Sequence, residues 1–199
     1  CLQQTGDDGQ PLMREGGEVM IAPLPLYHIY AFTANCMCMM VSGNHNVLIT
    51  NPRDINGFVK ELQRWQFSAF LGLNTLFVAL MAHPQFKKVD FSRLKGTNSG
   101  GTALVSAVAE RWKSMTGCTV VEGYGLTEST AAIAVNFDPD NIIGTVGKPV
   151  GGNTVRIAED GEIELKGSVV FPYYWKNEEA TEKDFTEDGF YKTGDLGKL

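Results

Sequence analysis

Apolar and polar positions alternate in blocks along the chain. Short apolar runs, "VMIAPL", "NVLIT", "SAFLGL" and "CTVV", are bounded by Gly, Pro, Asn or Ser and read as strands. Longer stretches separate them: "YHIYAFTANCMCMMV", "PRDINGFVKELQRW", "NTLFVALMAH" and "TALVSAVAERWKSMTG". These read as helices. The first is mostly apolar, with Thr33 and Asn35 inside it, and predicts a buried helix. The second is amphipathic and opens at Pro52. The third is capped by Asn74, and the last stops at Gly117. Strands of this length alternating with helices predict βαβ units and a buried parallel sheet, hence an α/β fold with a central parallel sheet flanked by helices.

The pattern changes after Asp138. "NTVRIAEDGEIELKG" reads as two short strands around the turn Asp160-Gly161. "NEEATEKDF" follows as a short helix, and "DGFYKTGDLGKL" as a turn and a strand. This predicts a smaller, mostly β subdomain, giving a division into 1–138 and 139–199. In an open α/β sheet, ligands bind beyond the carboxyl ends of the strands. Two glycine-bearing stretches, "TNSGGT" and "EGYGLTE", fall there.

Charge and composition narrow the classes. The net charge is −6 with 20% charged and 43% hydrophobic residues, ordinary for a globular protein and adverse to a nucleic-acid surface. No Asp, Glu, Lys or Arg occurs between 19 and 52. A membrane span needs about 20 apolar residues in succession. Pro23, Pro25 and "SGNHN" interrupt this run, so a buried helix is the better reading. The four cysteines and three histidines have no ligand spacing and predict idle thiols in a reducing compartment rather than zinc or disulfides. "CLQQTGDDGQ" has no basic-then-apolar signal pattern. The chain opens on Cys1 and closes on "TGDLGKL", and is expected to be an internal piece of a longer polypeptide.

Familiar phosphate sites fail on spacing. A dinucleotide fingerprint starting at Gly123 and Gly125 needs a third glycine where Glu128 stands. GxxxxGK[ST] and GxSxG are absent. What remains is chemically suggestive: a hydroxyl at Thr127 for a phosphate oxygen, a carboxylate at Glu128 for Mg²⁺, a flat ring at Tyr124 for a base, and a carboxylate at Asp195 for sugar hydroxyls. The competing reading of the same residues is a turn, a solvated pair and a half-buried ring.

The stretches "EGYGLTEST", "YKTGDLGKL" and "PLPLYHIYAFT", in this order, resemble those of the adenylate-forming synthetases. "ITNPRDINGFVKEL" and "FLGLNTLFVALM" are similar to the bacterial long-chain fatty-acyl-CoA ligases in particular. The resemblance implies the large N-terminal domain of an acyl-CoA synthetase. It implies that ATP and a fatty acid give an acyl-adenylate and pyrophosphate, and that the thiol of coenzyme A then displaces AMP. Carried over, Thr127 contacts the phosphate and Glu128 holds Mg²⁺. Tyr124 stacks on adenine, framed by backbone of Gly100, Gly101, Thr102, Glu122 and Gly123. Asp195 takes the ribose hydroxyls. His28 lines or gates the acyl pocket together with the Gly100–Gly101 turn, against the competing reading of His28 as a core histidine at a helix start.

The sequence departs from the family in places. The Ser/Thr/Gly-rich phosphate loop and the C-terminal lysine domain lie outside it, so these 199 residues alone are expected not to turn over. Only "EDG" stands where the family carries a longer loop. "VFPYYW" has Tyr173 where the family often has Gly, a change expected to bear on the β subdomain and not on the site. A ligase for another carboxylic acid is the alternative enzyme, and a non-catalytic nucleotide- or acyl-binding module the alternative from another class. The resemblance places the protein in the cytoplasm, with peripheral contact at the inner face of the membrane left open.

Overall fold

The structure, a computed structural model, describes residues 13–136, 141, 142 and 144–198. The opening stretch with Cys1, and the division between 138 and 139, lie outside the described residues. Five parallel strands form the centre of a sheet: β1 Val19–Ala22, β2 His45–Leu48, β3 Ala69–Gly72, β4 Gly96–Gly100 and β5 Val120–Tyr124, in the order β2-β1-β3-β4-β5. Two short antiparallel strands, β6 Ala134–Val135 and β7 Lys148–Pro149, continue it beyond β5.

Side chains alternate across the pleat and fill both faces. Ile21, Phe70 and Val120 join the larger core, which holds the buried residues of α3 Ile55–Leu62, α4 Asn74–Ala82 and α5 Ser106–Thr116. Met20, Ala69 and Leu71 form a second cluster on the other face, with Met39. The larger core centres on Trp112. Its ring lies 4.7 Å from that of Phe77 and 5.3 Å from that of Phe70, and its Nε1 donates to Thr97 Oγ1 at 3.1 Å.

The apolar stretch after His28 is a helix in three segments: α1 Ile29–Ala31, a π-helical turn over Phe32–Cys38, and α2 Met39–Val41. Only Ala31, Asn35 and Met39 are buried. The wider π turn keeps residues four apart on one face, and Asn35 locks that face to β2 through hydrogen bonds with Asn46 in both directions. The expectation of a buried helix is therefore corrected. Phe32, Met37, Met40 and Val41 are exposed. The polar Asn35 faces inward and apolar side chains face outward, so polarity along this stretch does not mark its outer face. Among the described residues no helix is long and apolar enough to cross a membrane.

Three helix starts also differ from expectation, and one is α5, which begins at Ser106 and leaves Thr102–Val105 outside it. α3 begins after Asp54, whose carboxylate accepts from Gly57 N at 3.0 Å, while Pro52 stays in the preceding turn. Asn74 does not cap its own helix. It is the first helical residue, and its Oδ1 accepts from Val105 N, the residue that precedes α5. Gly117 ends α5 in the left-handed region, as expected.

The second sheet is antiparallel, in the order β10-β9-β8, from β8 Asn153–Ile157, β9 Glu162–Gly167 and β10 Tyr191–Leu196. The hairpin turn holds Gly161 at positive φ. α6 Glu178–Asp184 precedes β10 and is capped by Asn177. Arg156 ties this sheet together: it bridges Glu164 and Asp188 and lies over the Phe190 ring. Both the mostly parallel sheet with helices and the smaller β sheet match the fold class read from the sequence.

Trp112→Ala removes the ring on which four aromatic side chains converge. It is expected to destabilise the large sheet by about 3–5 kcal/mol in urea denaturation. A loss under about 1 kcal/mol contradicts this description of the core.

Candidate functional site

The site begins where β4 and β5 end side by side, with Ser99 opposite Glu122 and Gly100 opposite Gly123. Gly101 takes φ +80 and turns the chain out of β4. The Glu122 carboxylate is buried and accepts from Leu104 N at 2.9 Å, so it pins the loop leaving β4 against β5. Burial pushes its pKa up, opposed by the Leu104 hydrogen bond. The expected role of Glu122 involved its backbone. The structure adds a task for its side chain.

The ring of Tyr30 covers Gly100. A Cβ on Gly100 would lie 3.2 Å from Tyr30 Cε1. The Tyr30 hydroxyl is buried without a hydrogen-bond partner, and burial raises its pKa well above the ordinary phenol range. His28 is exposed rather than a core histidine. Its Nδ1 accepts from Tyr30 N at 3.3 Å and caps α1. The His28–Tyr30 segment, the Gly100–Gly101 turn and the Gly123–Gly125 turn face one another across a cavity of about 40 Å³, closed by Ala131 and Ala132. Drug-sized ligand pockets run to roughly 300–1,000 Å³, so an acyl chain or a nucleotide needs this cleft to widen. Thr102 is exposed one residue beyond it.

The two glycines of "GYG" do different things. A Cβ on Gly123 would meet nothing closer than 3.9 Å. A Cβ on Gly125 would lie 1.3 Å from the Ala131 carbonyl oxygen. The chain folds back on Gly125 through one 3₁₀ turn, Thr127–Ser129, then through Thr130 at φ 53 and Ala131 at φ 83. Two consecutive non-glycine residues in the left-handed region are a strained arrangement. Hydrogen bonds hold it: Ala131 N donates to Leu126 O, Ile133 N to Tyr124 O, and Leu126 N to Ser129 Oγ. This turn carries Thr127, which is exposed, and Glu128, which is half-buried.

The small sheet meets the turn at two places. The Tyr124 hydroxyl donates to Asp195 Oδ2 at 2.7 Å, joining the residues expected at adenine and at ribose. Burial and then the Asp195 carboxylate push the Tyr124 phenol well above its usual range. A carboxylate has about four lone-pair sites, so Asp195 keeps acceptor capacity beyond this bond. Thr193 Oγ1 donates to Ile163 O and accepts from Asp195 N, which fixes the "TGD" turn to β9. At the second place, Phe171 N donates to Glu128 O at 2.8 Å, the Tyr174 hydroxyl to Glu128 Oε1 at 3.3 Å, and Thr130 Oγ1 to Val169 O at 2.8 Å. Phe171 and Tyr174 of "VFPYYW" therefore reach the turn, while Tyr173, the position that departs from the family, is exposed. Tyr174 and Gly125 are functional candidates that sequence reasoning passed over. The sign of Gly125 was its place in "GYG", and Tyr174 carried none.

Among the described residues no group of three or more His, Cys, Asp or Glu is arranged to hold a metal ion. Glu128 offers one hard carboxylate. That fits Mg²⁺, which is commonly held by one or two carboxylates together with substrate phosphates, and does not fit a resident metal caged by protein.

A family model described as "AMP-binding enzyme" matches residues 2–175. The chain is 45% identical over 189 residues to a long-chain-fatty-acid–CoA ligase of Haemophilus influenzae, covering 88% of this chain and 33% of that protein. It is 41% identical over 209 aligned positions to a long-chain-fatty-acid–CoA ligase of Salmonella typhimurium, covering 100% of this chain and 37% of that one. Its fold superposes on ATP-bound MatB from Rhodopseudomonas palustris with a TM-score of 0.82 at 28% identity, covering 92% of this chain and 38% of that structure. The chain thus spans about a third of the length of the curated relatives it matches. With the family model covering most of its length and the β4–β5 cleft in place, this chain belongs to the AMP-binding enzyme family.

Proposed function

We propose that the chain forms the nucleotide- and acyl-facing part of a ligase that activates a long-chain fatty acid with ATP and passes the acyl group to coenzyme A. The observation that carries the reading is the meeting of Tyr124 and Asp195 at 2.7 Å beside the cleft between Gly100 and Gly123. These residues come from separate sheets, and a turn serving only its own sheet needs no such partner.

A carboxylate is a poor electrophile and its oxygen a poor leaving group. In the first step a carboxylate oxygen of the acid attacks the α-phosphorus of ATP and pyrophosphate leaves. In the second the thiolate of coenzyme A attacks the acyl carbon and AMP leaves. This chain's residues bind and orient. Asp195 accepts the ribose hydroxyls, Tyr124 offers its ring to adenine, and backbone of Gly100, Gly101, Thr102, Glu122 and Gly123 frames the base. Thr127 donates to a phosphate oxygen. Glu128 holds Mg²⁺, which neutralises phosphate charge when bound. The acyl group enters past His28 and the Gly100–Gly101 turn.

The acid specificity is tested by exchange of labelled pyrophosphate into ATP in the full-length polypeptide, across fatty acids of graded length and aromatic acids. Exchange that depends on acid and is strongest with long chains is expected. Strongest exchange with a short or aromatic acid assigns a different substrate, and exchange with none overturns the reading.

The ribose role predicts that Asp195→Ala weakens ATP use by about tenfold to a hundredfold, the equivalent of one charge-assisted hydrogen bond. With 2′,3′-dideoxy-ATP, which lacks the hydroxyls, the same substitution is expected to cost little. An equal penalty with both nucleotides, at unchanged melting temperature, excludes the ribose contact.

A further inference from the structure

The Glu128 carboxylate does not stand alone on its turn. One of its oxygens, Oε1, faces the Tyr174 hydroxyl at 3.3 Å, and that hydroxyl lies 3.3 Å from the Tyr191 hydroxyl. The proton directions are forced. An ionised carboxylate only accepts, and each phenol has a single proton. Tyr174 therefore spends its proton on Glu128, and Tyr191 must donate to Tyr174. Burial pushes both phenols upward; donation to Tyr174 adds to the rise at Tyr191, while at Tyr174 the bond received from Tyr191 works against it and Glu128 adds to it.

The chain around this relay is rigidly placed. Tyr191 is buried in the core of the small sheet, among Leu165, Phe171 and Phe185. The ring of Tyr174 packs edge-on against Phe171 at 4.7 Å. Phe171 N in turn holds Glu128 O. Backbone and side chain of Glu128 are thus both fastened to one short loop segment between β9 and α6, with Glu128 itself on a turn strained at Thr130 and Ala131.

We propose that Tyr174 and Tyr191 are positioning residues. The relay from Tyr191 through Tyr174 fixes one oxygen of Glu128 and leaves the other oriented for the Mg²⁺ that accompanies the nucleotide. This rests on Glu128 as the Mg²⁺ ligand, and it adds that the smaller sheet sets the geometry of that ligand. A free glutamate on an exposed turn loses rotamer freedom when it binds a cation; one already held does not.

The experiment measures ATP affinity by calorimetry as a function of Mg²⁺ in the full-length polypeptide, with melting temperature of the nucleotide-free protein alongside. Tyr174→Phe keeps the ring and removes the hydroxyl. It is expected to raise the Mg²⁺ concentration for half-maximal ATP affinity by about three- to tenfold, with affinity at saturating Mg²⁺ close to that of the parent. Tyr191→Phe is expected to act in the same direction but less. In a Glu128→Gln background Tyr174→Phe is expected to add nothing. A lower melting temperature with unchanged Mg²⁺ dependence shows a merely structural tyrosine and overturns the proposal. So does a tighter Mg²⁺ response, which makes the hydroxyl a competitor. If Glu128→Gln itself leaves the Mg²⁺ dependence unmoved, the ligand assignment fails and the proposal falls with it. If Glu128→Gln shifts it and Tyr174→Phe does not, only the positioning claim fails.

Discussion

The Ala131 carbonyl oxygen occupies the place a side chain would take on residue 125. That single approach decides the course of the chain after β5. Because residue 125 has no Cβ, the backbone can double back on itself within seven residues and pair Ile133 N with Tyr124 O. The reversal starts β6, which extends the sheet antiparallel. It also forces Thr130 and Ala131 into left-handed conformations and places Thr127 and Glu128 on the 3₁₀ turn between Gly125 and Ala131. Any residue larger than glycine at 125 must open the turn, and the candidate phosphate and metal side chains move with it.

A strained turn persists only when its surroundings over-determine it. Here the restraint comes from β10 and from the loop that follows β9. Segment 169–174 grips the turn through Val169, Phe171 and Tyr174, while β10 reaches Tyr124 through Asp195. The site is thus shared between an α/β layer that supplies the cleft and a β layer that fixes its rim. Changes in segment 169–174, distant in sequence from the turn, are therefore felt at Glu128. The cleft as it stands is narrow, with Tyr30 lying over Gly100 and its hydroxyl unpaired. An unsatisfied buried hydroxyl costs about 1–3 kcal/mol, so this is the part of the site with least to lose by opening.

The parallel sheet was legible because strand-length apolar runs and helical stretches alternate with a regularity that few folds share. The hairpin at Asp160-Gly161 and the Gly117 stop were legible because turn residues have local causes. The outer face of the Ile29–Val41 helix was not, since its polar Asn35 turns inward to Asn46 and its apolar side chains turn out. Helix starts slipped where a cap competes across the chain: Asn74 serves Val105 instead of its own helix. In the site, residues read from "EGYGLTE" and "TGD" converge as a pair at Tyr124 and Asp195, 71 positions apart. Tyr174 and Tyr191 had no local signal. Their meaning arises only from tertiary proximity to Glu128.

The central claim is that the Gly125 fold-back builds the nucleotide site. It is tested most directly by Gly125→Ala in the full-length polypeptide, followed by acid-dependent exchange of pyrophosphate into ATP. The core of the large sheet does not depend on this turn, so far-UV circular dichroism is expected to stay close to that of the parent. Misplacement of positioning groups by about 1 Å can cost a hundredfold, and a loss of that size or greater is predicted. Exchange within about threefold of the parent contradicts the account, because one methyl group would then have been accommodated where a carbonyl oxygen stands.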